Sequence, residues 1–505
     1  MSEISKFADD FVSLCKANAN KQLVRFVLET GKKDYSYEDI MNYTKKYISF
    51  FKSKGLKKGD TVVTILPNSV ECIVAFFAAI AGGYNFAPLS CQVTEREFRN
   101  WVNIVKPSLV IRKSGICEFE SFIETFECEC DGDLSWLPSR GGEFDSSLNP
   151  KVYLMTSGTT GSPKAMAIDA NKLWSSGKAF SNFYQISEKA VRFWNYLPMS
   201  YLGGLYNLAL IPLCCGGSFV ISEPFSGKTI LNYWSFVESN EIDALWLVPS
   251  IMQGLLKIAK LVGKGGRQHK EIRIAFLGTA PVQLKQKEEF ESVFGIRLYE
   301  NFALSESTFL TAENEENIRF REQGSVGAVL PYVSLKMIPV EGIENTNVIW
   351  IKSPFLFDGY LDENGMVDLE LDEEGYFNSK DLGYFNPDNI MVLVGRNRDI
   401  IKKGGLFVSL VEVENVVKQY PAVDDVVAVP VKSDFYGESF VICVIFKPEI
   451  DEENEKEKLH VWLIDNIVKY KVPERIYIYK DFPRTASGKI QKNKIAYELE
   501  NKNEK

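Results

Sequence analysis

Only two histidines, His269 and His460, occur in 505 residues, which leaves little from which to build a zinc centre. Nine cysteines are present, an odd number with no Cys-x-x-Cys spacing. Cys128-Glu129-Cys130 and Cys214-Cys215 are the close pairs, and reduced thiols in a cytoplasmic protein are expected rather than a disulfide framework. Basic charge is not in excess. The balance of 58 basic and 67 acidic residues gives −9, so no footprint for nucleic acid is present. Met1 to Gln22 is polar and lacks the apolar core of a signal peptide. Long apolar runs are scarce too. Cys72 to Ala81 follows a cap candidate, Ser69, and stops at Gly82-Gly83, the pattern of a short buried helix. Tyr201 to Ile221 is uncharged, but four glycines, Pro212 and Asn207 suit a buried helix and strand better than a membrane span. No internal repeat is found.

The most informative stretch that is present runs Leu154-Met155-Thr156-Ser157-Gly158-Thr159-Thr160-Gly161-Ser162-Pro163-Lys164. Val152 to Met155 is β-prone. Glycines beyond it let backbone N–H groups turn toward an anion, four hydroxyls add donors, and Lys164 adds a mobile point charge. This describes a phosphate clamp; a flexible surface turn is the plainer alternative. It is not a Walker loop, because Ser162 and Pro163 separate Gly161 from Lys164. Ser226-Gly227-Lys228-Thr229 fails as a Walker loop as well, since Ser222 stands where glycine is needed; a surface helix is expected to open there.

Thr61 to Ile65, Val152 to Met155, Ala244 to Val248 and Ile272 to Leu277 alternate with helical patterns, the rhythm of α/β layers. Gly324 to Trp350 becomes strand-rich. Ala422 to Val429 and Phe440 to Phe446 read as strands, Leu459 to Lys469 as a helix, Asp451 to Lys458 as a solvated charge run and Gln491 to Lys505 as a polar tail. A charged turn at Arg396 to Asp399 marks a domain boundary.

The clamp resembles the phosphate loop of the adenylate-forming superfamily, which includes acyl-CoA synthetases, peptide-synthetase adenylation domains and beetle luciferases. The resemblance runs in order from about Tyr35 to Lys494. It takes in Gly59-Asp60, Leu66-Pro67-Asn68, Tyr299 to Glu306, Gly324-Ser325-Val326-Gly327, Asp381 to Tyr384, Gly395 to Asp399 and Arg484 to Lys489. It implies an α/β fold: a large multi-layer N-terminal domain, with two α/β subdomains and a β-rich one, spanning 1–395. A hinge at 396–399 and a small, mobile α+β C-terminal domain, 400–505, would follow.

The same resemblance assigns roles. Thr156 to Gly161 and Lys164 would hold ATP phosphates. Gly278-Thr279-Ala280-Pro281 would border adenine, Asn301 would belong to the nucleotide site, and Phe302 would stack on the base. Ser305 would touch the α-phosphate, and Glu306 with Thr156 would hold magnesium. Asp381 and Arg396 would bind ribose. Lys489 would bridge the α-phosphate and the acid, Arg398 would be the hinge, and Lys402 to Gly405 would meet a pantetheine thiol. Departures occur at Phe302 for tyrosine, and at Ala303 and Lys380 for glycine.

Tyr201 stands where many acyl-CoA synthetases carry histidine, and the aspartate that amino-acid-activating relatives use for an α-ammonium is missing. Tyr201, Leu202, Gly203 and Trp246 are candidate acid contacts, although Trp246 fits a core equally well. The implied reaction joins a carboxylic acid lacking an α-amine to the thiol of CoA or an acyl carrier protein, with ATP consumed through an acyl-adenylate. The alternatives are an amino-acid adenylation enzyme charging a carrier protein, or a catalytically silent nucleotide-binding homologue.

Overall fold

The computed structural model describes residues 4–119, 123–156, 164–186, 191–223, 225–262, 269–278, 282–341, 343–396, 399–403, 406–433, 437–448, 450–484 and 490–503. The fold is mixed α/β and divides into two compact units. The first comprises Met1–Arg321, Gly327–Ser334 and Lys352–Gly375; the second comprises Glu322–Val326, Leu335–Ile351 and Tyr376–Lys505.

Two large sheets organise the first unit. The nine-stranded sheet has the order Ala328–Val329, Thr308–Ala312, Tyr299–Leu304, Ile274–Leu277, Ala244–Leu247, Arg192–Asn195, Ser218–Ile221, Gln22–Leu28, Gly31–Ser36. From Tyr299–Leu304 to Gln22–Leu28 the strands run parallel, and antiparallel strands flank them on both sides. The parallel strands are short and apolar because both faces are covered. The eight-stranded sheet has the order Gly365–Asp368, Gly359–Asp362, Lys164–Asp169, Lys151–Thr156, Asn85–Pro88, Thr61–Ile65, Leu109–Lys113, Thr125–Cys128. Val63, Ile65, Val110, Ala165 and Ala167 from this sheet pack with Phe98 and Trp101 of the helix Glu95–Val105.

The buried helix expected near Cys72 spans Val70–Gly82, with every residue buried. Ser69 Oγ accepts from Cys72 N, and Gly83 ends the helix at φ 79°, a left-handed cap that glycine adopts without a Cβ clash. The uncharged run after Tyr201 forms a π-helix, Gly203–Leu210, then the helix Ile211–Cys214 and the strand Ser218–Ile221. Gly227–Leu231 is helical behind Ser226, as expected for the false Walker loop. None of the nine cysteines forms a disulfide, and Cys128 and Cys130 lie with sulfurs 3.8 Å apart. No described helix is long and apolar enough to cross a membrane.

The second unit contains a four-stranded sheet, in the order Ser334–Pro339, Asn347–Lys352, Phe377–Phe385, Met391–Arg396; its outer residues Ser334 and Lys352 fall in the first unit. A five-stranded sheet follows, built around the long antiparallel pair Val423–Ser433 and Gly437–Phe446. Two expectations need correction here. The charge run Asp451 to Lys458 is helical: Asp451 caps the helix Glu452–Asn466, and Glu452, Glu453 and Glu455 favour its N-terminal dipole. The polar tail is the helix Lys492–Asn503, whose Ile495 and Leu499 pack on Val427, Val429 and Phe482. Of the expected hinge, Arg396 closes one strand and Ile400 opens the next. Arg398 lies outside the described residues.

Candidate active site

Strands Lys151–Thr156 and Lys164–Asp169 pair antiparallel, with Thr156 directly opposite Lys164. The two residues at the ends of the clamp segment, Thr156 and Lys164, are therefore neighbours across an antiparallel strand pair. Ser157, Gly158, Thr159, Thr160 and Gly161 lie outside the described residues. Lys164–Asp169 pairs on its other side with Gly359–Asp362, placing Leu361 opposite Ala165 and Tyr360 opposite Met166. Asp358, just before that strand, accepts from Lys151 at 2.9 Å and Lys172 at 2.8 Å, which locks the base of the strand pair.

Glu306 occupies the tight turn between Tyr299–Leu304 and Thr308–Ala312. Its Oε1 accepts from the Tyr360 hydroxyl at 3.1 Å, and its backbone carbonyl accepts from Phe357 N at 2.8 Å. Tyr360 thus joins the Glu306 turn to the strand beside that pair. Sequence reasoning missed it, because a single tyrosine in a short strand carries no pattern until the strands pair. Among the described residues no other group bonds the Glu306 carboxylate, so its second oxygen remains available. A half-buried, oxygen-rich ligand of this kind fits magnesium.

Gly278 follows the Ile274–Leu277 strand, and Asn301 to Ala303 continue the neighbouring one. These carboxyl-end positions are where open α/β sheets receive ligands. Asn301 and Phe302 are buried. The Asn301 Nδ2 has no partner among the described residues, and a Cβ at Gly278 would lie 3.0 Å from Asn301 Oδ1. Ala303 sits at a register shift, is exposed and avoids positive φ, so the methyl group is accommodated without strain. Ser305 is exposed at the turn. Thr279, Ala280 and Pro281 lie outside the described residues.

Beneath this edge a charged cluster is buried. Lys287 donates to Glu300 at 3.0 Å and to Glu313 at 2.8 Å, and Arg321 pairs with Glu313 and Glu291. Glu300 N also donates to Glu313. The cluster anchors the strand that presents Asn301 and Phe302. Burial pushes the Glu300 carboxyl up to about 7, against the pull of Lys287.

The Tyr201 segment is tightly built. A Cβ at Gly203 would overlap the Tyr201 ring, and one at Gly204 would approach the Leu197 and Pro198 carbonyls to 2.6 Å, so both glycines permit close packing. Asn195 Nδ2 donates to the Gly204 and Leu208 carbonyls of the π-helix. The Tyr201 hydroxyl is buried and has no partner among the described residues; burial pushes it up to about 12, so it is a neutral donor near pH 7. Leu202 is buried beside it. Trp246 packs among Phe180, Phe276 and Phe309 with ring centres 4.8–5.8 Å apart, at the heart of an aromatic core.

In the second unit, Asp381 and Arg396 face one another across two strands, with Nε 2.9 Å from Oδ1. Lys380 takes φ 61°, so the backbone keeps a glycine-like conformation although the residue is lysine. Lys402 N donates to Glu438 at 2.7 Å, and its ammonium lies 5.5 Å from the Phe407 ring. Gly404, Gly405 and Lys489 lie outside the described residues.

Residues 15–361 match the AMP-binding enzyme family, and residues 412–489 match the AMP-binding enzyme C-terminal domain. Malonate–CoA ligase of Arabidopsis thaliana is 26% identical over 91% of this chain and 80% of that protein. Oxalate–CoA ligase of the same plant is 28% identical over 88% and 89%. 2-Succinylbenzoate–CoA ligase of Listeria monocytogenes is 27% identical over 92% and 94%. ATP-bound MatB from Rhodopseudomonas palustris shares the fold with a TM-score of 0.83 at 21% identity, covering 97% of this chain and 99% of that one. The o-succinylbenzoate CoA synthetase of Bacillus subtilis, bound to its acyl-adenylate, gives 0.80 at 19% identity over 96% and 97%.

Proposed function

The chain belongs to the AMP-binding enzyme family, and from that membership we propose how its residues act. It is an AMP-forming acid–CoA ligase. A carboxylate oxygen attacks the α-phosphorus of ATP and pyrophosphate leaves; the CoA sulfur then attacks the acyl carbonyl and AMP leaves. The protein does little covalent work in either step, so positioning and charge neutralisation dominate.

The observation that carries the assignment of residues is the shared anchoring of clamp and acid. Thr156 and Lys164 pair across two strands, and Tyr360, on the next strand of the sheet, bonds Glu306. The loop from Thr156 to Lys164 would receive the ATP phosphates, with Ser305 on the α-phosphate. Magnesium, when bound, would neutralise phosphate charge, and Glu306 with Thr156 would hold it. Phe302 would stack on adenine, Gly278 to Pro281 would border it, and Asn301 would offer its unspent amide hydrogen to a ring nitrogen. Tyr201, Leu202 and Gly203 would contact the acid, whereas Trp246 is held in the aromatic core. Motif match alone assigns the second unit's residues: Asp381 and Arg396 to ribose, Lys489 to the bridging oxygens, Lys402 to the thiol substrate and Arg398 to the hinge.

The acid proposed is one without a free α-amine. Purified protein with ATP and magnesium, and with either CoA or a purified acyl carrier protein as acceptor, should be offered malonate, oxalate, 2-succinylbenzoate, straight-chain acids and free amino acids. Pyrophosphate release and the mass of any acyl-CoA are the readouts. An acyl-CoA from at least one acid without an α-amine, with AMP in equal amount, is expected. Pyrophosphate release with amino acids only, or acyl transfer to a carrier protein but not to CoA, would reject this reading.

A further inference from the structure

A row of hydroxyls runs from the π-helix to the Glu306 turn. Thr308 Oγ1 lies 2.6 Å from the Ser307 carbonyl, Ser176 Oγ lies 2.5 Å from Thr308 Oγ1, and the Tyr206 hydroxyl lies 2.7 Å from Ser176 Oγ. All three side chains are buried. A carbonyl can only accept, which fixes the direction. Thr308 donates to Ser307, Ser176 donates to Thr308, and Tyr206 donates to Ser176, each spending its single proton on the next.

The end of the row is strained. Thr308 has φ 60°, a left-handed conformation that a β-branched residue adopts at a cost. Such a backbone persists where its surroundings over-determine it. Here the surroundings are the hydroxyl row on one side and, on the other, the Leu304–Thr308 pairing that closes the turn. Glu306 lies two residues earlier, inside that turn.

We propose that Thr308 is a positioning residue: its hydroxyl, held by Ser176 and Tyr206, fixes the turn so that the Glu306 carboxylate is presented to the metal–nucleotide complex. The proposal rests on the reading of Glu306 as a metal ligand. It also makes Tyr206, on the π-helix that begins at Gly203, part of the support for that ligand.

The test measures binding of manganese–ATP to the full-length protein by water-proton relaxation, alongside the magnesium dependence of adenylation. Thr308→Val keeps the shape and removes the hydroxyl; it is expected to weaken manganese–ATP binding about tenfold, the effect of one buried hydrogen bond left unmade. Thr308→Ser keeps the hydroxyl and is expected to restore binding. A Thr308→Val protein that melts lower yet binds manganese–ATP as the wild type does would make the hydroxyl merely structural and overturn the proposal. If Thr308→Val does not fold, Tyr206→Phe carries the test: weaker binding supports the row, and unchanged binding overturns it. Glu306→Gln is measured in parallel. Should it bind manganese–ATP normally, the metal-ligand reading itself fails; should it bind weakly while Thr308→Val does not, only the positioning role is lost.

Discussion

At residue scale, Tyr201 separates two roles. Its hydroxyl is buried without a partner among the described residues, an arrangement that costs stability rather than adding to it. Tyr201→Phe should therefore melt at the same temperature or higher. If the hydroxyl serves the acid, the same variant should raise KM for the acid several-fold while KM for ATP stays put. A lower melting temperature with an unchanged acid KM would return Tyr201 to the core. Single residues also show what a motif conveys. Lys380, in the place of a glycine, suggests an altered backbone, yet its φ of 61° is the conformation glycine would take. The surrounding strands, not the side chain, set that geometry.

At the scale of elements, the strand Tyr299–Leu304 depends on the charges beneath it. Lys287→Met would leave Glu300 and Glu313 buried without their shared cation and should cost about 3–5 kcal/mol in urea unfolding. Glu300 further predicts a pH dependence. Its folded pKa, about 7, lies above the ordinary 4.5, so the native state binds the extra proton between those values. Its contribution is complete below about 4.5 and is lost as pH rises through about 7. Glu300→Gln should remove that downward slope from the stability profile; an unchanged slope would assign it to another group.

Elements were legible where the pattern was local. Ser69 and Gly83 announced their helix because caps are short-range signals. Asp451 to Lys458 and the last fifteen residues were not legible as helices: their charge density masks the few buried positions, Leu459, Leu463, Ile495 and Leu499, that dock them. In the candidate site, Glu306 and the clamp are proposed from motifs. Tyr360, Ser176 and Tyr206 could not be, since only tertiary pairing brings them to the turn.

At the scale of the whole molecule, the two half-reactions should come apart. Lys489→Ala removes the charge proposed to serve adenylate formation, and an expected loss of about 3–4 kcal/mol is roughly a hundred- to a thousandfold in rate. It should still convert a supplied acyl-adenylate to acyl-CoA. Arg398→Pro restricts φ at the proposed hinge and should show the reverse, forming adenylate and stalling at the thioester. Equal loss of both half-reactions in both variants would remove the two-conformation mechanism.

The path of the chain has a consequence for synthesis. It has passed between the two units five times by Tyr376. Glu322 to Val326 leave the ribosome long before the strand that holds them: Val326 N bonds the Met391 carbonyl, and Leu393 N bonds the Gly324 carbonyl. The first unit can close once Gly375 has emerged, with two segments of its neighbour still waiting as open loops. A nascent chain halted just after Gly375 has cleared the ribosome should thus resist protease throughout the first unit and be cut across 322–326 and 335–351. Uniform digestion would mean that neither unit forms before the other, and that the whole polypeptide matures only after release.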